Sequence, residues 1–171
     1  IISLHCTTIT TTAQIVNIES QRKQLAVDTT GWFGSLDVGF NLNRNSSTVL
    51  SLTGDAQVDY LTGRSRWISL TNYQIIRADG ADFINNGFQH LRYNRQLHER
   101  ITGEVFLQAQ YNEKLRLRFR GLVGIGPRFR LVVDKKGALF LGTHYMYQYE
   151  EVADGSTVYR DHRLSSYLSI N

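Results

Sequence analysis

Residues 101–126, ITGEVFLQAQYNEKLRLRFRGLVGIG, alternate apolar and polar side chains in two successive runs. In the first run Val105 and Leu107 fall on one face of an extended chain, and Glu104 and Gln108 fall on the other. Because successive side chains of a β-strand point to opposite faces, this alternation predicts a strand with one apolar and one polar face. The three residues between the runs, NEK, are few enough for a hairpin turn.

The same pattern repeats along the chain from Gly31 onward, starting with GWFGSLDVGFNLNRN at 31–45. Eight such segments follow one another through turns of about two to five residues, and none shows a helical period over a helical length. The stretch RWISLTNYQIIR at 66–77 has mixed faces, so its register is not predicted. The sequence therefore predicts an all-β fold, an antiparallel up-and-down meander.

Composition narrows the class of protein. The 171 residues suffice for one domain, and the single cysteine, Cys6, excludes a disulfide framework within this chain and a cysteine-based metal site. A net charge of +4 is compatible with an anionic partner without requiring one. The sequence contains no run of about 18 apolar residues, so no transmembrane helix is predicted.

Strand length and the polar face favour a membrane barrel over a soluble sheet. The alternating segments run for about 10–15 residues, whereas soluble strands average about 5–6 and membrane-spanning strands need about 9–11. Charged and amide side chains on the polar face suit a water-filled or salt-bridged barrel interior, with the arginines lying across from Glu104 and Gln108. We therefore predict a transmembrane β-barrel. The predicted interior-lining residues are Glu104, Gln108, Gln110, Arg116, Arg118, Arg120 and His144.

Aromatic residues lie toward the ends of several segments, which is typical of the interfacial girdles of membrane barrels. In such a girdle the amphipathic ring contacts both acyl chains and head groups. The predicted girdle residues are Trp32, Tyr60, Trp67, Tyr111, Tyr147 and Tyr149. The alternative is a soluble periplasmic β-barrel whose apolar face turns inward around a lipid or another apolar ligand.

Three stretches resemble a known family: FQHLRYNRQL at 88–97, GEVFLQAQYNEKLRLRFRGLVGIGPRFRL at 103–131 and GALFLGTHYMYQYEE at 137–151. They are similar to uncharacterised bacterial outer-membrane β-barrel proteins of unknown function, labelled salt-induced outer membrane proteins. The resemblance covers most of the chain from Gly31, although Gln148-Tyr149 before the Glu-Glu pair departs from the family's pattern. It implies a β-barrel in the outer membrane, and it implies no reaction, cofactor or catalytic residue.

The two ends of the sequence suggest a processed and truncated chain. Residues 1–13 are interpreted as a possible remnant of a secretory signal, with a small-residue cleavage site at Thr11-Thr12-Ala13, or otherwise as a frayed strand. Residues 14–30 form a lead-in segment, and residues 31–171 form the barrel domain. The last alternating segment stops at Asn171, so we expect the eight visible strands to be a fragment of a larger barrel.

Other kinds of site have little support. The glycines between Gly121 and Gly126 have strand pattern on both sides, whereas a phosphate-binding loop needs a strand followed by a helix. An arginine surface for nucleic acid is possible, but ion pairs inside a barrel explain the same alternation. A hydrolase could be assembled from Ser165 or Ser169, from His90 or His144, and from a polar residue such as Asp161, but no spacing in the sequence singles out such a set. No metal site, cofactor or enzymatic activity is predicted.

The predicted function is that of an outer-membrane β-barrel, either a pore or an envelope-integrity protein with an arginine-lined interior. The expected partners are outer-membrane lipid, the barrel-assembly machinery during biogenesis, and small solutes or anions, with no nucleic acid. Substrate and conductance are not predicted.

Overall fold

The computed structural model describes residues 30–45, 47–134, 137–153, 155 and 157–170. These residues form one sheet of eight strands, and each strand pairs antiparallel with the next along the chain. The strands are β1 (Gly31–Arg44), β2 (Thr48–Thr62), β3 (Ser65–Ala78), β4 (Ala81–His98), β5 (Ile101–Asn112), β6 (Leu117–Asp134), β7 (Gly137–Val152) and β8 (Val158–Ile170). The predicted all-β antiparallel meander is confirmed. The expected signal remnant, residues 1–13, and nearly all of the lead-in segment lie outside the described residues.

The sheet is open within the described ranges. β1 pairs only with β2, and β8 pairs only with β7, so these eight strands do not close into a barrel. A closed barrel therefore stays a prediction.

The strands are staggered relative to one another. One row of paired residues runs from Trp32 of β1 through Tyr60, Trp67 and Tyr93, reaches Tyr145 on β7 and continues to Leu164 on β8. Trp32 is the second residue of its strand, whereas Tyr145 is the ninth residue of β7. A stagger of this kind accompanies strand tilt in a curled sheet.

A two-residue turn joins β3 to β4. Asp79 and Gly80 have φ angles of 52° and 84°, so both lie in the left-handed region. A type I′ hairpin turn needs this conformation at both central residues, which is why Asp-Gly is favoured there. The Asp79 carboxylate also accepts a hydrogen bond from the Thr48 backbone N–H at 2.8 Å, and this bond ties the turn to the start of β2.

The connection from β5 to β6 corrects one prediction. The second alternating run suggests that Arg116 lies in a strand, but β6 begins at Leu117 and Arg116 belongs to the turn, with a φ of 54°. The turn is held by the Leu115 N–H, which donates to Asn112 Oδ1 at 3.0 Å. A bulge between Leu117 and Phe119 follows directly. Turn and bulge together interrupt the arginine alternation.

The two faces of the sheet differ sharply in burial. We call the face that carries Glu104, Gln108 and His144 the polar face, and the face that carries Val105 and Ile125 the apolar face. The buried polar side chains are Asp59, His90, Arg92, Asn94, Glu104, Gln108, Arg128, His144 and Gln148. The apolar face is exposed, with Ile125 58% accessible in the middle of β6. The sheet therefore buries its polar face.

Two small apolar clusters share the polar face. Ile68 and Leu70 of β3 pack with Phe88, and Phe106 of β5 packs with Leu122 and Met146. Leu122 lies buried on the same face as Arg120, because the two positions differ by two along the strand. These clusters fill space between the buried polar groups.

Candidate functional site

Glu104 is the most deeply buried charged residue on the polar face, with 0% of its surface exposed. Its Oε2 lies 3.0 Å from His144 Nε2 and 3.5 Å from Arg92 Nη1, and it accepts a hydrogen bond from Tyr167 Oη at 3.1 Å. These partners come from β7, β4 and β8, so one carboxylate connects four strands. A buried carboxylate is tolerated when it is paired and hydrogen-bonded in this way.

A glycine opposite Tyr167 allows this contact. Gly142 of β7 pairs with Tyr167 of β8, and a Cβ atom on Gly142 would overlap the tyrosine ring. The missing side chain lets the ring lie flat across β7 and reach Glu104 on β5. Gly124 does the same for Phe106, whose ring occupies the place of a Cβ on Gly124. Glycine in these strands therefore marks close approach of an aromatic ring.

Replacing Gly142 by valine is expected to destabilise the fold by about 1–3 kcal/mol, because the new side chain displaces Tyr167 and breaks its hydrogen bond to Glu104. The free energy of unfolding can be measured by urea titration of the protein refolded in detergent micelles. Gly54→Val is the matched control, since a Cβ on Gly54 of β2 meets no atom within 4 Å. Equal effects of the two substitutions would contradict the proposed packing.

A second cluster of hydrogen-bonded polar side chains lies beside the cluster around Glu104. His90 Nδ1 donates to Gln108 Oε1 at 3.2 Å, and Gln108 Nε2 donates to Gln110 Oε1 at 2.9 Å. The His90 ring stacks on Phe106 at a centroid distance of 5.4 Å. Within the described ranges, His90 Nε2 and both side-chain polar atoms of Asn94 are buried without a hydrogen-bond partner. The polar face thus has further capacity to bind water or a polar solute.

The arginines of β6 are placed differently from the prediction. The register pairs Glu104 with Gly126 and Gln108 with Leu122, so the expectation that the arginines lie opposite these two residues is wrong. The β5–β6 turn fixes this register, and it brings Arg120 opposite Gln110 instead.

The arginines of β6 instead pair with β7. Arg120 Nη2 lies 2.8 Å from Glu150, and Arg118 Nη1, at the bulge, lies 2.7 Å from Glu151. Arg118 is 65% exposed, so its ion pair contributes little to stability. Arg128 lies over the Phe140 ring at 3.9 Å. The β6 arginines therefore form separate contacts with β7 rather than one uninterrupted row of cations.

The aromatic residues proposed as a girdle fall into two groups on the apolar face. Trp32 and Tyr60 have ring centroids 4.6 Å apart, and Trp67 and Tyr93 have centroids 4.4 Å apart, within one row across β1 to β4. Tyr111, Tyr147 and Tyr149 lie on β5 and β7, and Tyr111 and Tyr149 are near the opposite ends of the strands. Cross-strand aromatic pairs of this kind stabilise neighbouring strands.

Among the residues that contact Glu104 or belong to the aromatic row, Arg92, Tyr93 and Tyr167 were not predicted. Tyr93 continues the alternation of Leu91 and could have been added to the girdle from the sequence. Arg92 and Tyr167 bind Glu104 from β4 and β8, and no local pattern connects residues so far apart in the chain.

The described part of the chain contains no helix that is long and apolar enough to cross a membrane. In the same part of the chain, no group of three or more His, Cys, Asp or Glu side chains is arranged to hold a metal ion. Ser165 lies opposite His144 across β7 and β8, while Asp161 pairs with Gln148 and forms an ion pair with Arg163 at 3.2 Å. Ser165 and His144 therefore share a row that does not include Asp161.

Comparison with known proteins identifies a family. Residues 36–171 match DUF481, which is described as a protein of unknown function. Comparison with curated proteins and with solved structures gave no match. The matched segment includes β2 to β8, the last nine residues of β1, and the three described partners of Glu104, which are Arg92, His144 and Tyr167. The chain therefore belongs to the DUF481 family, a family whose function is unknown.

Proposed function

We propose that this protein is a bacterial outer-membrane β-barrel protein, whose apolar face contacts lipid and whose polar face surrounds a polar interior. The observation that supports the proposal is the burial of the polar face together with the exposure of the apolar face. Soluble domains bury their apolar side chains, and a large contiguous exposed apolar surface indicates contact with another apolar phase.

The side chains that carry this observation lie in the middle of the sheet, away from its edges. Glu104 and His90 are among the three largest fully buried side chains, with Met146. Leu107 and Ile125, on β5 and β6, are 53% and 58% exposed although both strands have neighbours on each side. Membrane barrels have this inverted arrangement, with alternate residues turned to lipid and to the interior.

The alternative function, a soluble periplasmic barrel around an apolar ligand, has less support. Such a barrel would bury the apolar face and expose the polar one. The contact between Tyr167 and Glu104, three strands apart, indicates that the sheet curls toward its polar face instead.

Within the proposed class, an envelope-integrity role has more support than a wide anion pore. The polar face of β4 to β8 is filled by side chains such as Met146 and by ion pairs such as Arg120–Glu150. Arginines that are paired with carboxylates attract anions only weakly. Any solutes that pass through the interior are therefore proposed to be small and polar. Insertion by the barrel-assembly machinery follows from the same proposal.

Quenching of tryptophan fluorescence by brominated lipid tests the proposal. Trp32 and Trp67 are the two tryptophans of the chain, and both lie on the apolar face, 72% and 54% exposed. In liposomes whose phosphatidylcholine carries bromine near the head group, we expect strong quenching of both residues, and weaker quenching when bromine lies near the chain end.

The variants Trp32→Phe and Trp67→Phe report on each tryptophan separately. Circular dichroism verifies that the sheet has formed in every sample. A folded protein whose two tryptophans are quenched by aqueous acrylamide and not by brominated lipid would refute the proposal.

A further inference from the structure

A shallow groove of about 320 Å³ lies on the apolar face across β4 to β7. Leu91 and Gln89 line its β4 side, and the Gln89 amide is hydrogen-bonded to Thr71 and Ser69 of β3. The floor of the groove is formed by Ala109 and Gly121, which pair directly with each other and have little or no side chain. Leu107 and Val123 form one side of the groove. Tyr149 of β7, which pairs with Gly121, also lines it. The groove is therefore a gap in the surface that would face lipid.

Aromatic rings bound the groove toward the β5–β6 turn. A Cβ on Gly121 would lie 3.2 Å from the Phe119 ring, and Phe119 and Tyr149 have centroids 6.3 Å apart. Tyr149 is the fourth residue from the end of β7. The groove thus extends from the central apolar row to the level at which head groups meet a membrane-spanning strand.

A cation lies at this end of the groove. Arg160 of β8 pairs with Tyr149, is exposed, and has its guanidinium carbon 6.0 Å from the centre of the Tyr149 ring. Arg118 is also exposed, but its positive charge is already paired with Glu151. Arginine binds phosphate oxygens through its fixed fork of donors.

We propose that this groove binds one acyl chain of a phosphate-bearing membrane lipid, with Arg160 holding the phosphate. The inference rests on the proposed membrane function, because the groove faces lipid only in that case. The largely apolar lining fits a hydrocarbon chain, because the amide of Gln89 is already hydrogen-bonded to β3, and the arginine at the end of the groove complements an anionic head group.

Native mass spectrometry of the protein in detergent micelles tests the site with two matched probes. Phosphatidylglycerol and a diacylglycerol with the same acyl chains differ in the phosphate head group. We expect preferential phosphatidylglycerol adducts, and we expect Arg160→Gln to lower that preference about fivefold, as for one basic residue near a membrane surface. Ala109→Leu, which fills the floor, should reduce the adducts of both lipids.

Two substitutions outside the groove serve as controls. Arg64→Gln removes an exposed cation between β2 and β3, and Val38→Leu enlarges an exposed apolar side chain on β1. Neither should change the adducts. The site is refuted if both lipids bind equally, if Arg64→Gln acts like Arg160→Gln, or if Ala109→Leu abolishes a dimer rather than lipid adducts.

The tryptophan quenching experiment on the same preparations separates the two proposals. Quenching by brominated lipid without a phosphatidylglycerol preference would refute the lipid site and leave the membrane proposal standing. Absence of quenching would refute both. Arg160 is exposed and outside the buried network, so Arg160→Gln is expected to fold and keeps the proposal testable if Ala109→Leu does not.

Discussion

Replacing Glu104 by alanine is expected to lower the free energy of unfolding by about 3–5 kcal/mol, the largest effect of any single substitution considered for this chain. The substitution leaves the Arg92 guanidinium buried without the carboxylate that it contacts at 3.5 Å. It also removes the acceptor of Tyr167 and the partner of His144, so contacts among four strands are lost together. Urea unfolding of the refolded protein in micelles measures the loss.

Two further variants separate the buried charge from the general loss of a side chain. Glu104→Gln keeps a hydrogen-bond acceptor but removes the charge, so its effect should lie between those of the wild type and Glu104→Ala. Glu151→Ala removes a carboxylate whose partner Arg118 is mostly exposed, and it should cost less than about 1 kcal/mol. If Glu104→Ala cost no more than Glu151→Ala, the network around Glu104 would not stabilise the fold.

The alternation of residues 101–112 predicts both the strand and its faces, because a period of two leaves one arrangement that separates Val105 from Glu104. The start of β1 at Gly31 and the turn at Asp79-Gly80 also follow from local chemistry. These features depend on side chains close in sequence. Local patterns therefore suffice for strand order in a meander, where each strand pairs with the next.

The third strand shows where this reasoning fails. In β3, Trp67 lies exposed on the apolar face while Ile68 and Leu70 are buried on the polar face. Both faces therefore carry apolar side chains over this stretch, so the alternation of apolar and polar residues cannot predict which face is buried. The reason is tertiary, since Ile68 and Leu70 fill space beside Phe88.

The partners of Glu104 show a second limit of local patterns. His144 and Tyr167 approach Glu104 from two and three strands away, and they do so because the sheet curls and Gly142 leaves room for the tyrosine ring. Curvature depends on register, bulges and glycine positions together. The sequence predicts that Glu104 and His144 share a face, but the contact between them follows only from the folded sheet.

Replacing Ile125 by arginine is expected to destabilise the protein in liposomes by about 2–4 kcal/mol, the second large effect. Ile125 lies on the apolar face at the middle of β6, where the membrane proposal places the hydrocarbon centre. Leu97→Arg is the matched control, because Leu97 is similarly exposed, 63% against 58%, but lies next to the last residue of β4. An arginine near the membrane–water interface lowers the free energy of unfolding by about 0–1 kcal/mol, because its guanidinium group reaches water.

The comparison of these two sites distinguishes lipid from water as the medium around the apolar face. In water, an arginine at either exposed position would change stability by about 0.5 kcal/mol or less. In lipid, the cost depends on depth, so the difference between Ile125→Arg and Leu97→Arg should exceed about 1 kcal/mol. Ile125→Ala measures the apolar area lost without adding charge. Equal costs for the two arginines in liposomes, with both variants folded, would place the apolar face outside the hydrocarbon and refute the membrane proposal.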